Sequence, residues 1–276
     1  MFDAIHRHLL TLLPPPRPRE EWRGLFPSPW SGPEDGMGFV LFEGDEPVAL
    51  MGTLFSERPV GERRERFCNV TSWVATEPYR GEASLLALQL RRLRGHTITN
   101  LTPTPDAFRI FTRLGFEPLE VQRTVFWPGG ALLRPLGPRG VRLSHDPGEL
   151  EAVLDDVHRE ILEAHRGLAH HLAAWDDGGY CYLVYTVDPR PLAPRVRVHM
   201  LSEPERFVAF LPRIQRHWLR RHRALSAECD ARFLRGVEVP FSLRRTRATP
   251  RLYRSGSVDP ADIDNLYSEL VLLNLP

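Results

Sequence analysis

The sequence predicts an α/β protein (α+β layered) with two tandem domains, each a mixed central sheet flanked by helices. Two observations predict this fold class. Apolar strands are mixed with amphipathic helices in both halves of the 276-residue chain. Between the halves, the segment 127–140 breaks the periodicity with three prolines and four glycines. The predicted domains are therefore 1–130 and 131–276.

The first half begins with two helical segments and continues as strands. Residues 2–13 have apolar side chains at helical spacing and end at a run of three prolines, and a second short helix covers 19–26. The segment 38–57 is typical of a β-hairpin that turns at 44–47, and 66–76 is a third long strand. After a helix that follows residue 81, we expect a strand at 96–101, a helix at 105–116 and a strand at 118–127.

The helix after residue 81 is Leu-rich. Its expected apolar face is listed here: Leu85, Leu86, Leu88, Leu90 and Leu93.

The second half partly repeats this order. A strand at 141–144 precedes an Asp-Pro helix start, and the pattern predicts one long helix that continues to about residue 165. Strands are expected at 180–187 and 195–201, a helix at 203–222 and a strand at 224–230. His158, His165, His170 and His171 are expected on or near the long helix, as a solvated or interfacial face.

Composition excludes several classes of function. The net charge of +1 gives no reason to expect nucleic acid or an acidic membrane surface, and the basic run 213–223 is explained as the polar face of a helix. The chain contains no lysine, which excludes Schiff-base chemistry. Three dispersed cysteines predict neither disulfides nor zinc, no metal site is expected, and no apolar run has membrane-spanning length. We expect a cytoplasmic protein.

The turn 77–81 carries the most specific signal. It follows a strand and opens a helix, an arrangement whose backbone N–H groups suit phosphate. The order of hairpin, strand, Tyr79-Arg80-Gly81 turn, helix, strand, helix and "LGF" resembles the GNAT superfamily of N-acetyltransferases, over about residues 2–127. That family's coenzyme A turn reads R/Q-x-x-G-x-G/A. Arg80 matches its first position, whereas Ala83 and Leu85 replace its glycines.

The resemblance implies an acetyl-CoA (or another acyl-CoA) as cofactor. The backbone of Trp73, Val74 and Ala75 would bind the pantetheine arm. The cofactor-binding turn would consist of Arg80, Gly81, Glu82, Ala83, Ser84 and Leu85. Phe111 stands where the family usually has the tyrosine that protonates the departing thiolate. In the second half, 201–204 contains no glycine, so we expect a degenerate second copy that does not bind coenzyme A.

Two residues are candidates for catalysis. Ser72 is a polar side chain inside an apolar strand and either satisfies a network or faces a cleft. Glu57 ends the hairpin and is either a general base or a solvated carboxylate. The function expected is transfer of an acetyl group to an amine of unknown identity. The alternative is a catalytically inactive member of the fold that binds a partner, which Leu85 and Phe111 favour.

Overall fold

The computed structural model describes residues 1–127, 138, 140–190 and 193–275. The chain forms two compact units. Unit 1 contains Met1–Leu119, Thr249–Ile263 and Tyr267–Leu275, and unit 2 contains Glu120–Ala248 and Asp264–Leu266. Each unit therefore takes segments from both halves of the sequence. The domain ranges 1–130 and 131–276 stay a prediction, and most of the expected break at 127–140 lies outside the described residues.

The described elements follow in chain order. The strands are β1 (Gly38–Glu43), β2 (Glu46–Val60), β3 (Arg63–Ala75), β4 (His96–Asn100), β5 (Glu117–Phe126), β6 (Arg142–Ser144), β7 (His170–Asp176), β8 (Gly179–Asp188), β9 (Arg195–Leu201), β10 (Ser226–Asp230) and β11 (Ser242–Arg254). The α-helices are α1 (Phe2–His8), α2 (Arg19–Leu25), α3 (Ser84–Gln89), α4 (Pro105–Arg113), α5 (Pro147–Val153), α6 (Asp156–Ala164), α7 (Pro204–His222) and α8 (Glu269–Leu272). Short 3₁₀ turns occur at Leu10–Leu12, Glu77–Tyr79, Leu90–Arg92, Ala231–Leu234 and Pro260–Asp262.

The strands of unit 1 lie in the order β1, β2, β3, β4 and β11. The first three are antiparallel, β4 is parallel to β3, and β11 is antiparallel to β4. Every residue from Pro47 to Ser56 of β2 is buried, because both faces of the sheet are covered. On one face, Cys68 and Val70 pack with Leu86 of α3 and Phe111 of α4. On the other, Leu50 and Leu54 pack with the first two helices.

The local sequence explains why α4 begins and ends where it does. The Thr104 hydroxyl accepts a hydrogen bond from the Ala107 amide at 3.2 Å, which satisfies one of the open donors of the first turn. Pro105 occupies the first helical position, where no donor is needed. Gly115 follows the helix with a φ of +85°, the left-handed conformation that ends helices.

The strands of unit 2 lie in the order β5, β10, β9, β8, β7 and β6. The pairs from β6 to β9 are antiparallel, and β9 and β10 are parallel with α7 between them in sequence. The apolar face of α7, which includes Phe207, Phe210 and Trp218, packs on the sheet residues Tyr185 and Val198. Both units thus contain an antiparallel set of strands that ends in a parallel strand–helix–strand crossover.

Several sequence expectations need correction. The helix after Asp146 is two helices, since Asp155 caps a second one by accepting a hydrogen bond from the His158 amide at 2.8 Å. His170 and His171 lie on β7, which the sequence analysis did not predict, and not on a helix. Leu85 and Leu88 do not belong to the buried face of α3, because they are 53% and 40% exposed. No helix in the described ranges is both long and apolar enough to cross a membrane.

Candidate functional site

A β-bulge interrupts β3 in unit 1. Thr71 pairs with Gly52 and Val74 pairs with Leu50, so that Ser72 and Trp73 together lie opposite the single residue Met51. Ser72 takes a φ of +51°, which is uncommon for a residue with a side chain. A bulge leaves backbone groups of the extra residue outside the ladder and re-aims the side chains next to it. The backbone around Ser72 is therefore shaped for something other than strand pairing.

The parallel pairing of β3 with β4 ends just before the bulge. Its register joins Arg66–Asn69 to His96–Thr99 and includes no later residue of β3. From Val70 to Ala75 the β4 side of the strand thus has no strand partner among the described residues. The predicted pantetheine residues Trp73, Val74 and Ala75 lie on this segment. An unpaired strand edge offers N–H and C=O groups to an extended ligand, as in β-augmentation.

An aromatic cluster lies against the bulge. The Trp73 ring meets the Phe111 ring edge-on with the ring centroids 5.5 Å apart, and Phe111 meets Phe116 in the same way at 4.8 Å. Phe111 is fully buried. Its side chain therefore fills the core between β3 and α4 and carries no group that could donate a proton.

The turn after β3 satisfies much of its own backbone. The Ala83 amide donates to the Tyr79 carbonyl at 2.9 Å, and the Leu85 amide donates to the Glu82 carbonyl at 2.8 Å. The Ser84 hydroxyl donates to the Gly81 carbonyl at 2.7 Å. Within the described residues, the Gly81 and Glu82 amides have no backbone acceptor.

The side chains of the turn are held differently. Arg80 forms an exposed ion pair with Glu77, with nitrogen and oxygen 2.6 Å apart. Ala83 is buried against the core, whereas Leu85 projects into solvent at the start of α3. The predicted cofactor residues between Trp73 and Leu85 therefore lie on one strand–turn–helix segment, and Phe111 lies on α4 against Trp73. Arg80 is exposed enough to exchange its carboxylate partner for a phosphate, because surface ion pairs stabilise little.

The two predicted catalytic residues do not lie together. Glu57 belongs to the far end of the hairpin, where it forms an ion pair with Arg64 at 3.0 Å and is about half exposed. Five strand positions separate Glu57 from Gly52, beside the bulge, a span of roughly 17 Å at ~3.4 Å per residue. The Ser72 hydroxyl lies 3.3 Å from the Thr71 hydroxyl. Ser72 is thus at the bulge, and the solvated-carboxylate interpretation fits Glu57.

A buried carboxylate that the sequence analysis missed lies beside the end of the β3–β4 pairing. Glu269, the first residue of α8, is fully buried and accepts hydrogen bonds from the Asn69 amide and, at 2.7 Å, from the Thr102 hydroxyl. The Asn69 carbonyl oxygen accepts from the Thr99 hydroxyl at 3.0 Å. Burial raises the pKa of Glu269, and the two donated hydrogen bonds oppose that effect. The signal available in the sequence was a lone acidic residue in an otherwise apolar C-terminal run.

No group of three or more His, Cys, Asp or Glu side chains in the described ranges is arranged to hold a metal ion. Of the four histidines that the sequence placed on or near one helix, His158, His165 and His171 form local hydrogen bonds, and His170 stacks on Tyr185. For example, the Nδ1 atoms of His158 and His171 lie 2.7 Å from the hydroxyls of Tyr180 and Tyr182, respectively.

No protein-family model and no curated protein matches the sequence. Solved structures do match the fold. A GCN5-related N-acetyltransferase from Kribbella flavida has a TM-score of 0.56 at 17% identity, over 92% of this chain and 69% of its own. Another from Anabaena variabilis has a TM-score of 0.55 at 12% identity, over 91% and 68%. A candidate acetyltransferase from Pyrococcus horikoshii has a TM-score of 0.52 at 16% identity, over 96% and 89%.

The chain therefore has the fold of the GCN5-related N-acetyltransferases, and the predicted resemblance is confirmed at that level. The fold class is confirmed as well, with mixed strands flanked by helices. The motifs that carry the resemblance span about residues 2–127, whereas the matched segments of these solved structures cover more than nine-tenths of this chain. The motif resemblance ends at 127 because the second half keeps no recognisable phosphate turn.

Proposed function

We propose that unit 1 transfers an acyl group, most simply acetyl, from an acyl-CoA to a primary amine. The observation that carries this proposal is the bulge at Ser72–Trp73 next to the unpaired edge of β3. That edge would bind the pantetheine arm through backbone hydrogen bonds, and a backbone N–H at the bulge would polarise the thioester carbonyl. The turn residues Arg80, Gly81 and Glu82 would contact the phosphates.

The chemistry asks little of the side chains. A neutral amine held near the thioester forms the new N–C bond, the C–S bond breaks, the amine loses a proton and the thiolate gains one. Phe111 has no proton to donate, so water would supply the proton to the thiolate. The protein would thus lack the contribution of a general acid, which is typically on the order of 10²–10⁴ in rate. We therefore expect a slow enzyme. Ser72 would orient the acceptor amine. Glu269 would hold the Asn69 side chain and so fix the part of β3 that precedes the bulge.

Coenzyme A binding is the first test. A ligand of the native state raises stability by mass action, by about 2.7 kcal/mol at 100 times its Kd. We expect coenzyme A to raise the melting temperature, and acetyl-CoA with a panel of primary amines to release free thiol. The proposal is contradicted if coenzyme A raises the melting temperature of neither the wild type nor the variant described next, and if neither protein releases thiol from acetyl-CoA.

The variant Leu85→Gly tests the phosphate turn, with Leu88→Gly as its matched control. Both leucines are exposed positions of α3, so each change costs the helix about 1 kcal/mol. Only Leu85 stands at the motif position. One added charged hydrogen bond is worth about 1.5–3 kcal/mol, so Leu85→Gly should tighten coenzyme A binding about tenfold or more. Equal affinities for the two variants would show that the Leu85 side chain does not obstruct the turn.

A second candidate function is supported by the same turn. Its Ala83 and Leu85 amides are already bonded, and Phe111 has no proton to give. These features fit a catalytically inactive member of the fold that binds a ligand or partner. Coenzyme A binding without thiol release from any amine would favour this candidate.

We also propose that unit 2 descends from a second copy of the same fold and binds no coenzyme A. The shared crossover of parallel strands supports the first part. At its equivalent turn, Glu203 precedes α7 with no capping side-chain bond, and the following Pro204 is buried and lacks an N–H. A carboxylate there would repel a phosphate. The proposal places the protein in the cytoplasm, in keeping with three cysteines that are all free thiols.

A further inference from the structure

Unit 2 contains a pocket that the acyl-transfer proposal does not use. Its volume is about 160 Å³. Its apolar lining, called the floor here, consists of Pro147, Leu150, Leu162, Ala169 and Tyr185, of which Leu150, Leu162 and Tyr185 are buried. The rim consists of His145, Arg166, His170, His171 and Arg221. Because every ionisable group at this rim is basic, the pocket favours an anion.

The two arginines of the rim differ in how they are neutralised. Arg166 donates to Glu163 at 2.9 Å and to Glu151 at 3.0 Å, and neither glutamate lines the pocket. Arg221 lies in the last turn of α7, exposed, and forms no ion pair or side-chain hydrogen bond within the described part of the chain. Its guanidinium therefore keeps all five donors for a ligand.

His170 at the rim and His222, which lies in the last turn of α7 but does not line the pocket, are both close to Tyr185. The ring centroids of His170 and His222 are 4.7 Å apart, His170 stacks on Tyr185 at 5.3 Å, and the Tyr185 hydroxyl lies 3.0 Å from His222 Nε2. Burial lowers the pKa of His222 to about 4, and His170 and Arg221 act in the same direction. At neutral pH the imidazole of His222 is therefore uncharged. Arg221 supplies a positive charge that no acidic side chain at the rim offsets.

The size of the pocket and its apolar floor restrict the class of ligand further. A cavity of about 150 Å³ lined by apolar side chains holds one benzene ring. An inorganic oxyanion on this floor would leave some of its oxygens without donors, which is costly. We propose that this pocket binds a small organic monocarboxylate, with its carboxylate on Arg221 and the imidazoles of His145 and His170, and with its single ring or short branched chain on the Leu150–Leu162 floor.

Isothermal titration of the full chain with benzoate tests the proposal. Benzyl alcohol keeps the ring without the charge, and inorganic phosphate keeps the charge without the ring. We expect benzoate to bind, and both probes to bind at least about tenfold more weakly, because a charged hydrogen bond or a buried ring is worth that factor or more.

Two variants and one control locate the site. Arg221→Gln should weaken benzoate binding about tenfold or more, whereas Arg220→Gln should change it less than about twofold, because Arg220 is equally exposed in the same helical turn but does not line the pocket. Ala169→Leu fills the pocket from its floor and should abolish binding. Unchanged melting temperatures of the variants would separate lost binding from lost folding.

A second measurement locates the ligand independently of the heat measured by titration. Benzoate should shift the imidazole NMR signals of His170 and His222, with each signal assigned by its loss in the His170→Gln or His222→Gln protein. No heat and no shift at about 10 mM benzoate, a weak-binding limit, would overturn the proposal. Equal affinity for benzoate and phosphate, or equal effects of Arg221→Gln and Arg220→Gln, would overturn it as well. None of these readouts depends on acyl transfer by unit 1.

Discussion

The buried carboxylate of Glu269 makes a sharp prediction for the variant Glu269→Gln. The amide of glutamine can keep the network, because its oxygen accepts from Asn69 and its NH₂ group donates to the Thr102 hydroxyl, which can act as either partner. The change therefore removes a buried charge with little loss of hydrogen bonding. Glu269→Ala, by contrast, leaves the buried Asn69 amide without its acceptor and should cost about 1–3 kcal/mol.

The pH dependence follows from the direction of the pKa shift. Burial raises the pKa of Glu269 in the folded state above its usual 4.5, so folding binds a proton between the two values. Stability is therefore lost as pH rises from about 4.5 through the folded pKa, and it stays lost above that. Each unit of upward shift costs about 1.4 kcal/mol at high pH. Glutamine does not titrate, so the free energy of unfolding of Glu269→Gln should increase relative to that of the wild type as pH rises.

Urea unfolding of both proteins at pH 5 and pH 8 measures this gap. We expect the free energy of unfolding of Glu269→Gln, relative to wild type, to be higher at pH 8 than at pH 5. Glu62→Gln, at an exposed position in the turn between β2 and β3, is a control that should show little change of this kind. An identical gap at the two pH values would refute the reasoning that the carboxyl is held in a costly, desolvated state.

Three further predictions concern packing, backbone and a histidine. Gly52→Ala should lower the free energy of unfolding by about 1–3 kcal/mol, because the new Cβ would lie 2.6 Å from the Phe26 ring. Gly24→Ala, a helical glycine with no heavy atom within 4 Å of its Cβ, should instead stabilise by up to about 1 kcal/mol, and urea melts of the pair check both. Ser72→Gly should raise stability by about 0.5–1 kcal/mol by relieving a φ of +51°, and calorimetry that finds a loss would show that the hydroxyl contributes more than the strain costs. Burial lowers the pKa of His171 to about 4, so the free energy of unfolding falls by at most about 3 kcal/mol as pH falls from 6.5 towards 4. The variant His171→Gln should therefore flatten the acid side of the profile of stability against pH. An unchanged acid side would exclude His171 as its cause.

Local patterns predicted the parts of the fold that local physics determines. The hairpin of β1 and β2, the capped helix α4 and strand β9 follow from alternation, capping and turn chemistry, and they were found close to their true limits. The bulge at Ser72 could be suspected from a polar residue within an apolar strand. Its geometry could not, since it depends on the register with β2.

What the sequence did not reveal depends on distant pairing. Asn69 and Glu269 are 200 positions apart, and no periodicity links them. The strand β11 carries five arginines, a composition typical of an exposed edge and not of a strand that pairs with β4. The pocket of unit 2 likewise joins residues from 145 to 221, which a motif of any practical length cannot contain.

The discontinuous composition of unit 1 has a consequence for synthesis on the ribosome. Residues up to Leu119 emerge first, yet the β11 residues that pair with β4 and the carboxylate that binds Asn69 come from 249–275. At about 5–20 residues per second, the nascent unit waits roughly 8–30 s for them. During that interval β4 exposes an unpaired edge, which is a template for misassembly with other chains. Translation pauses before codon 249 should therefore favour aggregation.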